Sequence, residues 1–137
     1  MGRSLSRVLI MLGSESDRAA MGPAVSVLEE RGVDVTLEVC SAHRDPARTA
    51  ELASGAAEAG YAIVICGAGL AAALPGVVAA HTKLPVIGVP LSAGSLGGLD
   101  ALLSIVQMPP GVPVATVGID NAKNAAHLAL RVLGLAG

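Results

Sequence analysis

The chain has 137 residues, 53% of them hydrophobic, with no Phe or Trp, one Tyr, 17 Gly and a formal net charge of −2 from 9 Lys+Arg and 11 Asp+Glu. That length supports one domain with its own core, which has to be built from Ala, Val, Leu and Ile. The few cations and the lack of a basic run or aromatic stacking platform argue against a nucleic-acid partner, and no stretch has the length of a membrane span.

Met1 to Arg7 is short and polar, and the apolar run behind it is brief and ends in a Gly-Ser turn, so no signal peptide is expected. Val8 to Leu12 is continuously apolar, the mark of a strand covered on both faces in a parallel sheet. Gly13-Ser14-Glu15-Ser16-Asp17 reads as a tight turn into a helix start. Met21, Ala24, Val25 and Leu28 then recur at helical spacing, Pro23 should kink that helix, and Gly32 closes it.

The second strand is Val35 to Val39, followed by the loop Ser41-Ala42-His43-Arg44. Asp45 and Pro46 suit the N-cap and first position of a helix that runs to Glu58 and is closed by Gly60. Ala62 to Cys66 is the third strand, with Gly67-Ala68-Gly69 as the loop behind it and a helix reaching Thr82. Pro85 to Val89, Leu99 to Val106, Val114 to Val117 and Ala122 to Leu133 complete the alternation as strand, helix, strand, helix. The pattern describes a single α/β domain over 1–137 with a doubly wound, five-stranded parallel sheet. Cys40 and Cys66 each end a strand and form no metal-spaced or redox pair, so free buried thiols in a reducing cytoplasm are expected. The high apolar share also suggests surface buried between subunits.

Three loops at strand carboxyl ends carry the chemistry: Gly13 to Asp17, Ser41 to Arg44, and Gly67 to Gly76. Doubly wound sheets bring such loops to one edge. A glycine turn leading into a helix offers N–H groups to a phosphate. Ser14, Ser16 and Ser41 can add hydroxyl donors, Arg44 a charged fork, and Asp17 an acceptor for sugar hydroxyls. His43 can trade a proton near neutral pH. Gly67-Ala68-Gly69 would let a flat ring lie against backbone. A simpler reading accounts for each piece: Ser16 and Asp17 as helix caps, the glycines as a tight turn, and the His43 loop as a polar cap. His81 and His127 fall on helices and read as surface or interface residues, and no histidine or cysteine spacing suggests a metal site. The site suggests proton transfer on a bound phosphorylated small molecule, with neither metal nor covalent cofactor.

Gly13-Ser14-Glu15-Ser16-Asp17, Ser41-Ala42-His43-Arg44, Gly67-Ala68-Gly69, Leu74-Pro75-Gly76, Pro85 to Pro90 and Ser104-Ile105-Val106-Gln107-Met108-Pro109 resemble the family of N5-carboxyaminoimidazole ribonucleotide mutases. The resemblance covers nearly the whole chain. It implies a flavodoxin-like three-layer fold, a homo-octamer with sites at subunit contacts, and transfer of a carboxylate from an exocyclic nitrogen to ring carbon 4 of a small-molecule ribonucleotide in purine synthesis. It implies that Ser14, Ser16, Ser41 and Arg44 hold the phosphate, Asp17 the ribose, and His43 acts as general acid and base. Gly13, Ala42, Gly67, Ala68, Gly69 and Leu74 complete the expected substrate contacts.

The chain departs from the family pattern at four places. Ala73 stands where the family has a histidine, Leu70 where it has glycine, and Pro110 where a basic residue is common. The chain stops at Gly137, without the tail that many members pack against a neighbour. Three rivals to the mutase follow: a direct aminoimidazole ribonucleotide carboxylase, a non-catalytic phosphoribosyl-binding paralogue, and a carboxylase for another ring.

Overall fold

The structure, a computed structural model, describes residues 6–137; most of the Met1 to Arg7 segment therefore lies outside the described residues. Five strands form one sheet in the order β2-β1-β3-β4-β5: β1 Arg7–Leu12, β2 Asp34–Val39, β3 Ile63–Gly69, β4 Val86–Leu91 and β5 Ala115–Thr116. All four pairings are parallel. The helices are α1 Arg18–Glu30, α2 Pro46–Gly55, α3 Leu74–His81, α4 Leu99–Val106 and α5 Ala122–Val132. This is the flavodoxin-like arrangement of three layers.

Strand alternation decides the layers. Val8, Ile10 and Leu12 of β1 point to one face and join Met21, Ala24 and Leu28 of α1 and Ala125, Ala126, Ala129 and Leu130 of α5. Leu9 and Met11 point the other way, to Ala53 of α2, Leu74 and Val78 of α3, and Ala101 and Ile105 of α4. Helices approach the sheet most closely where a strand carries glycine. At Gly88 an added Cβ would lie 2.5 Å from Ile105 Cγ2, so α4 seats directly on β4. Each fully buried Leu or Ile in these two clusters contributes about 1.5–3 kcal/mol by transfer from water.

Several boundaries differ from the sequence expectation. β3 runs through Gly67-Ala68-Gly69, because those residues pair with Val89, Pro90 and Leu91 of β4. β4 accordingly continues past Val89 through Pro90. The Pro90 carbonyl accepts from Asp120 N at 2.8 Å, on the β5 side. The nitrogen of an extended residue faces the same way as its carbonyl, so proline removes no bond from the β3 ladder. β5 is only two residues long, paired as Ile87↔Ala115 and Gly88↔Thr116. α1 runs over Arg18–Glu30 with Pro23 inside it, the extent expected from the sequence. α2 ends at Gly55, and the chain turns through residues 56–60 with Gly60 at a φ of 97°. Cys40 and Cys66 are free and buried, and burial pushes the Cys66 thiol far up from its ordinary value. Among the described residues, no helix is long and apolar enough to cross a membrane.

Candidate active site

In this strand order the chain leaves β1 for β2 on one side and returns to β3 on the other. The crevice beyond the carboxyl ends of β1 and β3 is therefore the topological switch point, where such sheets bind ligands. A cleft of about 410 Å³ occupies that position. A larger cavity of about 610 Å³ lies away from this edge, lined by His81, Lys83, Val112 and Val132 among others.

Gly13, Ser14, Ser16 and Asp17 enter the cleft from the β1 loop. Ser41, Ala42, His43 and Arg44 enter from the β2 loop, and Ala68, Gly69 and Leu74 come from β3 and the start of α3. Eleven of the twelve sequence-derived site residues are thus brought together. Gly67 is not among the lining residues. A Cβ there would lie 2.6 Å from Met21 Sδ, so its bare face receives α1, and its carbonyl accepts from Gly13 N at 3.1 Å. Gly69 allows a different approach: its added Cβ would be 3.0 Å from Ala93 Cβ. His81 and His127 are exposed on α3 and α5, outside the cleft.

The β1 loop folds into a single 3-10 turn over Glu15–Asp17. Its cap is Ser14, whose hydroxyl accepts from Ser16 N at 3.3 Å. Asp17 makes no side-chain cap to α1, so its carboxylate is not consumed in helix capping. Burial pushes the Asp17 carboxyl above its ordinary value, opposed by the Ser14 backbone. The two serine hydroxyls lie 2.9 Å apart.

In the β2 loop, Arg44 N donates to Ser41 Oγ at 3.1 Å and Asp45 N to Ser41 O at 2.9 Å, closing a turn with His43 near its apex. Asp45 caps α2 through Arg48 N, with Pro46 at the first turn, as expected. His43 and Arg44 are exposed. The three ion pairs among the described residues engage Arg7, Arg18 and Arg48. Arg44 is therefore the arginine in the cleft whose charge no carboxylate neutralises. Arg18 sits nearby but is held in a fork by Glu15, at 2.8 and 3.0 Å.

The facing wall is apolar. Leu70, Ala71, Ala72, Ala73 and Leu74 line it together with Ala93. Ala93 belongs to the loop after β4, and its signal in the sequence is a Gly/Ser-rich stretch at a strand carboxyl end. Leu70 stands at a φ of 56°, in the left-handed region that favours glycine, with its side chain 55% exposed. Its Cδ2 would be 2.9 Å from a Cβ added at Gly94, so it lies over the loop after β4. The cleft thus has one wall of hydroxyl, carboxylate and guanidinium groups with an imidazole, and one wall without polar side chains. Among the described residues, no group of three or more His, Cys, Asp or Glu is placed to hold a metal ion.

Fold and cleft together define a doubly wound α/β protein whose switch-point cleft is lined by serine hydroxyls, a carboxylate, a guanidinium and an imidazole. The model of the AIR carboxylase family matches residues 7–137. The chain belongs to that family. It is 57% identical over 131 residues to the N5-carboxyaminoimidazole ribonucleotide mutase of Pyrococcus abyssi, covering 96% of this chain and 75% of that protein. It is 55% identical over 130 residues to the mutase of Mycobacterium tuberculosis, covering 95% and 75% respectively. Treponema denticola PurE superposes with a TM-score of 0.84 at 30% identity, covering 96% of this chain and 82% of that one.

Proposed function

We propose that the protein is an N5-carboxyaminoimidazole ribonucleotide mutase of purine synthesis, an isomerase. The observation that carries this reading is the meeting of His43 and Arg44 with Ser14, Ser16 and Asp17 in one switch-point cleft. Relatives 52% to 58% identical over most of the chain bear the mutase name and support it.

In this reading the phosphate sits against the Ser14 and Ser16 hydroxyls, Ser41 and the Arg44 guanidinium. Asp17 accepts from the ribose hydroxyls. The exocyclic N–C bond breaks, its electron pair stays on nitrogen, and carbon dioxide is released against the apolar wall of Leu70 to Leu74. His43 supplies the proton that the amine gains. Ring carbon 4 then attacks the trapped carbon dioxide and forms the new C–C bond. The carbon 4 proton returns to His43, which ends the cycle as it began. Water exclusion and one proton shuttle are what this exchange asks of the protein.

The working form is a homo-octamer in the cytoplasm. Leu99, Leu103 and Val106 leave one side of α4 apolar and exposed, as does Leu96 before it, which supports burial against neighbouring copies. Two free thiols suit a reducing compartment. Light scattering at micromolar concentration should give a mass near eight chains, and a monomer there would overturn the assembly.

A second reading, direct carboxylation of aminoimidazole ribonucleotide, is favoured by one similarity. The chain is 54% identical over 126 residues to the chloroplastic phosphoribosylaminoimidazole carboxylase of Vigna aconitifolia, although those residues make up only 23% of that protein. An assay of purified protein with the N5-carboxy substrate, against aminoimidazole ribonucleotide plus bicarbonate, separates the two. Turnover of the first substrate alone is expected. His43→Asn should then lower turnover by roughly a hundredfold or more, the scale of general acid–base catalysis.

A further inference from the structure

Thr49 is the one polar residue in the buried interior among the described residues, at 0% exposure. It lies in the first turn of α2, under the loop that carries His43. Its Oγ1 is 3.0 Å from Asp45 O and 3.3 Å from Ser41 O, and 3.1 Å from Cys40 Sγ. The two carbonyls are the two ends of the turn whose apex holds His43. One hydroxyl proton shared between them, as a three-centre bond, ties both ends of the turn to the helix. Threonine is suited to this because its branched Cβ has few rotamers, so the hydroxyl direction is set by the packed methyl.

We infer that Thr49 is a positioning residue for the reaction: its buried hydroxyl fixes the Ser41–Asp45 turn, and through it the place of the His43 imidazole. The inference rests on the proposed role of His43 as the proton shuttle. Three features separate this role from simple core packing. Each carbonyl keeps an N–H partner without the hydroxyl, since Asp45 N donates to Ser41 O at 2.9 Å and Thr49 N to Asp45 O at 3.1 Å. Loss of the hydroxyl therefore leaves no buried carbonyl orphaned, and the fold should survive. His43 itself is exposed on a turn outside any strand or helix, so its direction depends on how firmly the turn ends are held. The phosphate contacts are shared with the separate Gly13–Asp17 loop, so ground-state binding depends less on this turn than proton transfer does.

The test compares Thr49→Val, which keeps the shape and removes the hydroxyl, with Thr49→Ser, which keeps the hydroxyl and removes a methyl. His43→Asn runs beside them, with kcat, KM and melting temperature measured for each. Thr49→Val should lower kcat by roughly ten- to a hundredfold, the scale of a misplaced catalytic group, with KM changed by less than about threefold. Thr49→Ser should recover most of kcat even where its melting temperature falls as far as that of Thr49→Val. Native kcat in Thr49→Val, or equal losses in the valine and serine variants, would overturn the positioning role while His43→Asn remains impaired. Native turnover in His43→Asn would instead remove the role of His43, and the inference with it. Should Thr49→Val fail to fold, Thr49→Ala against Thr49→Ser makes the same comparison.

Discussion

The Ser14 hydroxyl lies 2.9 Å from the Ser16 hydroxyl at the carboxyl end of β1, and the same Ser14 oxygen accepts from Ser16 N. Ser14 therefore serves two purposes, capping the turn and facing the cleft, whereas the Ser16 side chain caps no backbone group and, beyond its contact with the Ser14 hydroxyl, only faces the cleft. Ser16→Ala should weaken phosphoribosyl-ligand binding by about 1.5–3 kcal/mol, the range for a hydrogen bond to a charged group, without a change in melting temperature. Ser14→Ala should show a similar loss of affinity and about 1 kcal/mol of lost stability as well, from the missing cap. Calorimetric titration and thermal melts of the two variants check this, and equal stabilities would contradict the capping role.

Arg44 carries the cleft's unneutralised positive charge. Arg44→Ala should reduce affinity for the phosphorylated ligand by about 1.5–3 kcal/mol while leaving the fold intact, because the side chain is exposed on a turn. Arg44→Lys should restore only part of that loss, since an ammonium lacks the planar fork. Unchanged affinity in a folded Arg44→Ala would place the phosphate elsewhere.

Leu70 occupies backbone space that glycine enters freely. A left-handed conformation costs a side-chain-bearing residue about 1–2 kcal/mol. Leu70→Ala keeps that cost and loses the contact over Gly94, whereas Leu70→Gly relieves it at the expense of a more flexible unfolded chain. Leu70→Gly should therefore be the more stable of the two by about 0.5–1 kcal/mol in urea melts. The reverse order would mean that the left-handed backbone is not strained.

Asp17 gives a pH signature. Its carboxyl is raised above the ordinary 3.8 by burial. Between the unfolded value and the raised folded value, the folded state binds more protons than the unfolded one. Stability on account of this group therefore falls as pH rises through that window, and stays lower above it. Asp17→Asn should be more stable than the native protein above the window, with the difference vanishing at lower pH, and should bind the nucleotide less tightly. Melts from pH 3 to pH 7 test the sign; a native protein that gains on the variant as pH rises would refute it.

Much of this was legible in the chain itself. Continuous apolar runs such as Val8–Leu12 announced parallel strands, because a strand covered on both faces has no solvent side to make polar. Asp45-Pro46 announced the start of α2, because a carboxylate cap and a preset φ are local requirements. The loops carrying Ser14, Ser16, Asp17, Ser41, His43 and Arg44 could be named because each follows a strand, and strand carboxyl ends meet in any doubly wound sheet.

What the sequence determined alone was therefore local: element type, caps and the chemistry each loop brings. Tertiary structure decided what depends on a distant partner. Gly67-Ala68-Gly69 became strand because β4 offered a ladder for it. Gly67 faces Met21 and not the cleft because α1 needed the space. The left-handed turn fell on Leu70, where residue preference alone would have put it on a glycine. Thr49 could not be distinguished from any other small residue on an alanine-rich helix until the fold placed its hydroxyl under the carbonyls of Ser41 and Asp45. The Asp45 contact is the i−4 bond open to any helical threonine, but the Ser41 carbonyl comes within hydrogen-bond reach of about 3.5 Å only because the loop folds back over α2.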